Sequence, residues 1–201
     1  MTEPQSPTAK DPRRRDAAAT RSSILASARR AFARAGYDGV GLREIAAGAG
    51  VTAVLVNRYF GSKEQLFAEV AEDTMRDPVI LTAENLASPD FAAALTKALV
   101  QVTTPGATPL DGFLILLHSS SSPRAAQIGR DWIARGHQEA LEAAIGGRLA
   151  PERAAVFAAL VAGLQVMRQM FEIPALAKAN PIDLERLLLP AVRALIEAAE
   201  L

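Results

Sequence analysis

The chain has 201 residues, no cysteine, two histidines, and 22 Lys plus Arg set against 22 Asp plus Glu. The missing cysteine excludes disulfides, thiolate metal sites and a cysteine nucleophile, and the length allows one ordinary domain and a smaller second one. Half of the residues are hydrophobic and 5% are aromatic; Ala and Leu dominate and β-branched runs are few, so the expected fold is all-α.

Residues 1–15 are polar, proline-rich and end in Arg13-Arg14-Arg15, which reads as a disordered basic arm. They lack the apolar core of a secretory signal, and no later apolar run is expected to be long enough for a bilayer, so the expected location is cytoplasmic. From Lys10 to Lys63 there are eleven Lys or Arg and four Asp or Glu. A basic first part on a neutral chain leaves an acidic remainder and suggests two jobs.

A helix is predicted from about residue 16, with Ile24, Leu25, Ala28, Ala31, Phe32 and Ala35 on one face and Gly36 as its C-terminal stop. After the turn "YDGVG" comes a short helix with Leu42, Ile45 and Ala46 inward, then a tight turn at Gly48 and Gly50. Thr52 is placed to cap the next helix, which runs to about Phe60 and is broken by Gly61. Ser62 caps a fourth helix, with Gln65 positioned to complete a capping box. Two short helices joined by about four residues form a helix-turn-helix. The second of them would anchor itself through Val56 and Phe60, with Val51 just before it. Its other face would present Ala53, Val54, Asn57 and Arg58 to a DNA major groove.

The segment "LREIAAGAGVTAVLVNRYFGSKEQLF" resembles the N-terminal domain of the TetR family of bacterial transcriptional repressors, over about residues 24–70. Ile45-Ala46, Ala49-Gly50-Val51, Tyr59-Phe60 and Ser62-Lys63 followed by Leu66 carry the resemblance. Two departures are Gly41, where the family often has Ser or Thr, and Asn57, where it often has Tyr. The resemblance implies a DNA-binding surface of Arg43, Thr52, Ala53, Val54, Asn57, Arg58, Tyr59 and Lys63. Arg43 and Arg58 would reach a base edge or phosphate, and Ala53 and Val54 thymine methyls. Asn57, Tyr59 and Lys63 would hold phosphates. Tyr59 also suits a plain core-edge position.

The domain boundaries expected are 16–76 for DNA binding and 77–201 for a helical ligand-binding and dimerisation domain. Helices are predicted within 89–103, 108–120, 122–146, 150–173 and 180–201, the last kinked at Pro190. "RQMFEIPALAKANPIDLERLLLPAV" weakly resembles regulatory domains of some actinobacterial members of the same family. From Ala154 to Phe171 the chain is apolar nearly all round, and Ala155, Ala159, Ala162 and Gly163 would admit another helix closely. The family's dimer interface implies Val156, Leu160, Gly163, Leu164 and Met167 as contacts with a second copy. Arg168 within this run must reach solvent or an acid.

Candidate ligand-binding residues are Phe113, Leu117, His118, Trp132 and Phe157, each of which also suits a plain core position. The expected effector is uncharged or weakly charged and largely hydrophobic. His118 and His137 lack metal-ligand spacing, so neither a metal nor a cofactor is called for. The serines of "HSSSSPR" lack a nucleophile-elbow pattern, so no enzyme is expected. The partners implied are a near-palindromic double-stranded DNA operator, a second copy as homodimer, and a small hydrophobic effector. The alternative is a DNA-binding regulator or architectural protein with no effector.

Overall fold

The computed structural model describes residues 12–74, 79–106, 110–133 and 138–197, and every regular element among them is helical. The side chains of Arg13, Arg14 and Arg15, and His137, lie outside the described residues. Helix α1 spans Pro12–Ala35, starting four residues before the expected boundary, so residues 12–15 of the expected disordered arm are helical. Proline has its preferred helical place in the first turn, and arginine is a good helix former. Gly36 ends α1 in the left-handed region (φ 68°), where its N–H donates to Phe32 O at 2.8 Å.

Short helices α2 (Leu42–Gly48) and α3 (Ala53–Phe60) follow, then α4 (Lys63–Thr74). They close a core around Ile24, Phe32, Ile45, Val56, Phe60, Leu66 and Phe67. Phe32, Tyr37 and Phe67 stack at its centre, with Phe67 edge-on to both partners at 5.1 Å between ring centroids. Gly48 permits a close approach, because a Cβ there would meet Ser27 Oγ at 2.4 Å. Ser27 Oγ in turn donates to Ile45 O at 2.8 Å and ties α1 to α2.

The remainder comprises α5 (Ala83–Leu86), α6 (Phe91–Val102), α7 (Asp111–Ser119), α8 (Pro123–Ile133), α9 (Glu139–Ile145) and α10 (Ala150–Leu164). A π-helical segment, Gln165–Met170, continues α10, and α11 (Pro174–Ala177) and α12 (Pro181–Glu197) end the described chain. A second core gathers Leu95, Leu99, Leu141, Phe157, Leu164, Val192 and Ile196. α12 packs chiefly on α6 and continues through the exposed Pro190.

Together α10 and the π-helical segment form one 21-residue helix, Ala150–Met170, long and apolar enough by length and composition to cross a bilayer. That corrects the expectation that no such run exists. Arg168, however, is 1% exposed. It reaches neither solvent nor an acid, as the sequence had required. It donates instead to Val100 O (2.5 Å), Thr103 Oγ1 (3.1 Å) and Leu176 O (3.2 Å). Carbonyls near the end of α6 carry partial negative charge and can receive a cation without a carboxylate. Burial pushes the Arg168 pKa down. Arg153, at the other end of α10, likewise rests on carbonyls, donating to Leu195 O, Ile196 O and Gly146 O.

Candidate nucleic-acid interface and effector cavity

The geometry of α3 follows from its ends. The Thr52 side chain accepts from Leu55 N at 3.3 Å, and Gly61 closes the helix at φ 76°. A side chain at Gly61 would also run into Gln65 Oε1, 2.0 Å from a Cβ there. Ser62 Oγ accepts from Gln65 N at 3.1 Å, but Ser62 N donates to Phe60 O. The expected capping box is therefore formed on one side only. α2 starts at Gly41 with no side-chain cap.

Within α3, Val56 and Phe60 are buried while Val54 is 78% exposed and Asn57 and Arg58 lie open to solvent. Thr52 and Arg43 are exposed as well, and Ala53 and Tyr59 are half-buried against the core. Arg43 and Arg58 make no ion pair among the described residues. Arg21 and Arg34, by contrast, pair with Glu69 and Glu44. Lys63 lies beside this surface with its Nζ 4.4 Å from the centre of the Tyr37 ring.

A cavity of about 450 Å³ lies among α7, α8, α9 and α10. Phe113, Leu117, Trp132 and Phe157, the candidate ligand-binding residues, line it. His118 does not, which corrects its assignment. Its backbone and ring face α1: Nδ1 donates to Ala33 O at 2.7 Å, and a Cβ on Gly36 would meet His118 O at 2.2 Å. Tyr37 N donates to Ser119 Oγ at 2.9 Å in the same joint. One end of α7 is thus fixed to α1, while Phe113, Leu116 and Leu117 of the same helix face the cavity.

Sequence reasoning missed Arg29, Thr74, Gln138 and Gln165 in the cavity wall. Gln165 had a signal, a polar residue inside an apolar helix. Arg29 had none, because it meets the cavity through chain 82 residues away: its Nε donates to Asp111 Oδ2 at 3.0 Å.

The proposed dimer residues divide. Val156, Gly163 and Met167 are exposed, in line with Ala155 and Ala159. On α12, Ile182 and Leu187 are 57% and 76% exposed, and Phe171 between the helices is 67% exposed. Leu160 packs against the second core, and Leu164 is buried within it. The assignment of Leu164 to a partner surface is therefore corrected: the helical stripe turns it towards α6 and α12 rather than outward. Ala162 faces the cavity.

Comparison with known proteins places the chain. Residues 24–70 match the family described as bacterial regulatory proteins, tetR family, and residues 90–196 match the tetracyclin repressor-like C-terminal domain. The HTH-type transcriptional repressor AcnR of Corynebacterium jeikeium is 36% identical over 69 residues, 34% of this chain and 36% of that protein. The chain thus matches little more than a third of that relative's length. A TetR-family regulator from Streptomyces coelicolor aligns over 94% of this chain and 99% of its own, at 26% identity and a TM-score of 0.59. GusR of Salmonella enterica shares the fold at a TM-score of 0.70 and 17% identity, over 88% of this chain and 95% of its own. NalD of Pseudomonas aeruginosa, the secondary repressor of a multidrug efflux pump, shares it at a TM-score of 0.62 and 22% identity, over 91% and 98%. With both halves matched, this chain belongs to the TetR family of bacterial transcriptional regulators.

Proposed function

We propose that the chain is a dimeric, sequence-specific DNA-binding repressor released from its operator by a small, largely apolar effector. The observation that carries this reading is α3. Its apolar face is locked into the small core by Val56 and Phe60 while Val54, Asn57 and Arg58 face outward. A helix held so, with a free cation and an amide on its open face, suits a major groove lined with phosphates. Arg43, Thr52, Ala53, Tyr59 and Lys63 border the same surface.

The test is selection of a duplex from a random library, followed by titration at two salt concentrations. A near-palindromic site with half-sites about one helical turn (~34 Å) apart is expected. Arg58→Ala should weaken binding and reduce the salt slope by roughly one unit, the signature of a lost phosphate contact. Binding equal to the parent at both salts would overturn the placement of α3.

The exposed apolar stripe of α10, continued on α12, supports a second copy as its cover. Such a patch is unusual on a monomer. Sedimentation should show a dimer at micromolar concentration, and Val156→Glu should give a folded monomer that no longer holds the operator. A monomeric parent would end the dimer reading.

The cavity supports effector control, since an apolar, largely preformed pocket is the usual form of a small-molecule site. The effector must favour a conformation in which the two recognition helices no longer fit successive grooves. A coupling of about 1–3 kcal/mol corresponds to roughly 5- to 150-fold in operator affinity. A ligand that stabilises the protein but leaves operator affinity untouched would favour the effector-free alternative.

A further inference from the structure

The described lining of the cavity is apolar apart from Arg29, Thr74, Trp132, Gln138 and Gln165, and Arg29 is the only charged residue among those described. Its guanidinium has five N–H groups. Nε is used by Asp111, and the other four hydrogens have no partner among the described residues. Thr74 Oγ1 already donates to Ala71 O at 2.7 Å. The cavity therefore offers one cationic donor group in an otherwise mostly apolar wall. A guanidinium with hydrogens to spare beside an apolar wall favours an acceptor on the ligand, and its fork matches a carboxylate most closely.

Resting on the effector reading above, we propose that the effector is an apolar monocarboxylate whose head group takes Arg29 away from Asp111. The cavity of about 450 Å³ holds roughly 15 non-hydrogen atoms at about 30 Å³ each, room for a medium-chain acid. Arg29 belongs to α1 of the DNA-binding half, and Asp111 opens α7, which lines the cavity. The two helices are fastened at the far end of α7 by the His118–Ala33 and Ser119–Tyr37 hydrogen bonds. The Arg29–Asp111 pair fastens the near end, and both side chains are about one-third exposed. A carboxylate on Arg29 replaces one acceptor by another, so the cation stays paired. The released Asp111 keeps a favourable place in the first turn of α7, where the helix end attracts negative charge. The ligand thereby loosens one end of α7 from α1 and leaves the other pinned.

Trp132 is the sole tryptophan and lines the cavity, so its fluorescence reports binding directly. Decanoate, decanol and decyltrimethylammonium, below their micellar concentrations, are titrated into the full chain, alone and with a selected operator duplex. Decanoate should bind about tenfold or more tighter than decanol, as a charge-assisted pair implies, and the ammonium compound weakest. Arg29→Met should bring decanoate down to the level of decanol. Asp111→Asn should tighten decanoate, because it removes the competitor; it also keeps the test open if Arg29→Met folds poorly. Decanoate, and not decanol, should release the duplex. Equal binding of decanoate and decanol by the parent would overturn the head-group assignment while leaving the apolar effector reading intact. If none of the three perturbs Trp132, both fall.

Discussion

The two halves of this chain solve burial in opposite ways. In the DNA-binding half the core is closed: Phe32, Leu66 and Phe67 have no exposed surface, and three aromatic rings fill the centre. Arg21, Arg34 and Arg29 stay at the periphery, paired with Glu69, Glu44 and Asp111. The second half is left open, around a cavity of about 450 Å³. It also buries two arginines, Arg153 and Arg168, that rest on backbone carbonyls rather than on acids. A surface that must match DNA gains from dense packing, because close-packed interiors transmit shape with little give. A half with the role proposed above, answering a ligand, would gain from internal space and from joints that can rearrange.

The sharpest way to break this comparison is to hollow the closed core. Phe67→Ala should cost about 3–5 kcal/mol in urea unfolding, the usual loss for a buried aromatic, and should abolish operator binding. Phe113→Ala, at a cavity wall that is already open, should cost only about 1 kcal/mol. Equal costs would mean that the cavity is filled in solution and the contrast is false. Next in size is Arg168→Met. It removes the cationic donor from Val100 O and Leu176 O, although Thr104 Oγ1 still donates to Val100 O at 2.9 Å, and should cost about 1.5–3 kcal/mol, the range for hydrogen bonds to charged groups. A neutral result would show that packing and the Gln169 hydrogen bonds to Val102 O and Thr104 O hold the π-helical segment against α6 without Arg168.

Much of the first half was legible because its signals are local. Gly36, Thr52, Gly61 and Ser62 each act within three or four residues, and helix ends are written in such short patterns. The inward and outward faces of α3 followed from the same periodicity. The second half resisted because its decisive contacts are distant in sequence. Nothing near Arg168 announces the carbonyl of Val100, and nothing near Arg29 announces Asp111. Leu164 shows the limit of periodicity: on a helix apolar all round, composition does not say which stripe meets the core and which meets a partner. His118 was misplaced for a related reason, since an aromatic on an apolar helix reads alike whether it faces a cavity or another helix.

Smaller effects refine the comparison. Thr52→Ala removes the cap of α3 and should cost roughly 1 kcal/mol, with operator affinity falling further than stability alone explains, because the helix that frays is the one proposed to read DNA. The same experiment at a distance from DNA is available in the second half. Thr82 caps α5 through Asn85 N at 3.1 Å, and Thr82→Ala should lower stability alone. Loss of operator binding by both variants in equal measure would show that general stability, not the rigidity of α3, sets affinity.

The smallest expected effect lies at the seam between α6 and α12. Asp90 caps α6, accepting from Ala93 N at 3.0 Å, and receives Arg193 of α12 through both carboxylate oxygens at 3.0 and 2.9 Å. The Ala93 backbone N–H is the main cause, with Arg193 adding to it, that holds the Asp90 carboxyl below its ordinary range. A folded pKa lower than the unfolded one gives stability that is present above the unfolded value and is lost as pH falls through the folded one. Asp90→Asn keeps an acceptor for Ala93 N but loses the charge that faces Arg193. The parent should therefore melt slightly higher than Asp90→Asn at neutral pH. The gap should close as pH drops below the ordinary carboxylate range, and it should shrink with added salt because the pair is exposed. A gap that stays constant from neutral to acid pH would assign the seam to packing of α12 on α6, and the electrostatic contrast between the two halves would then rest on Arg153 and Arg168 alone.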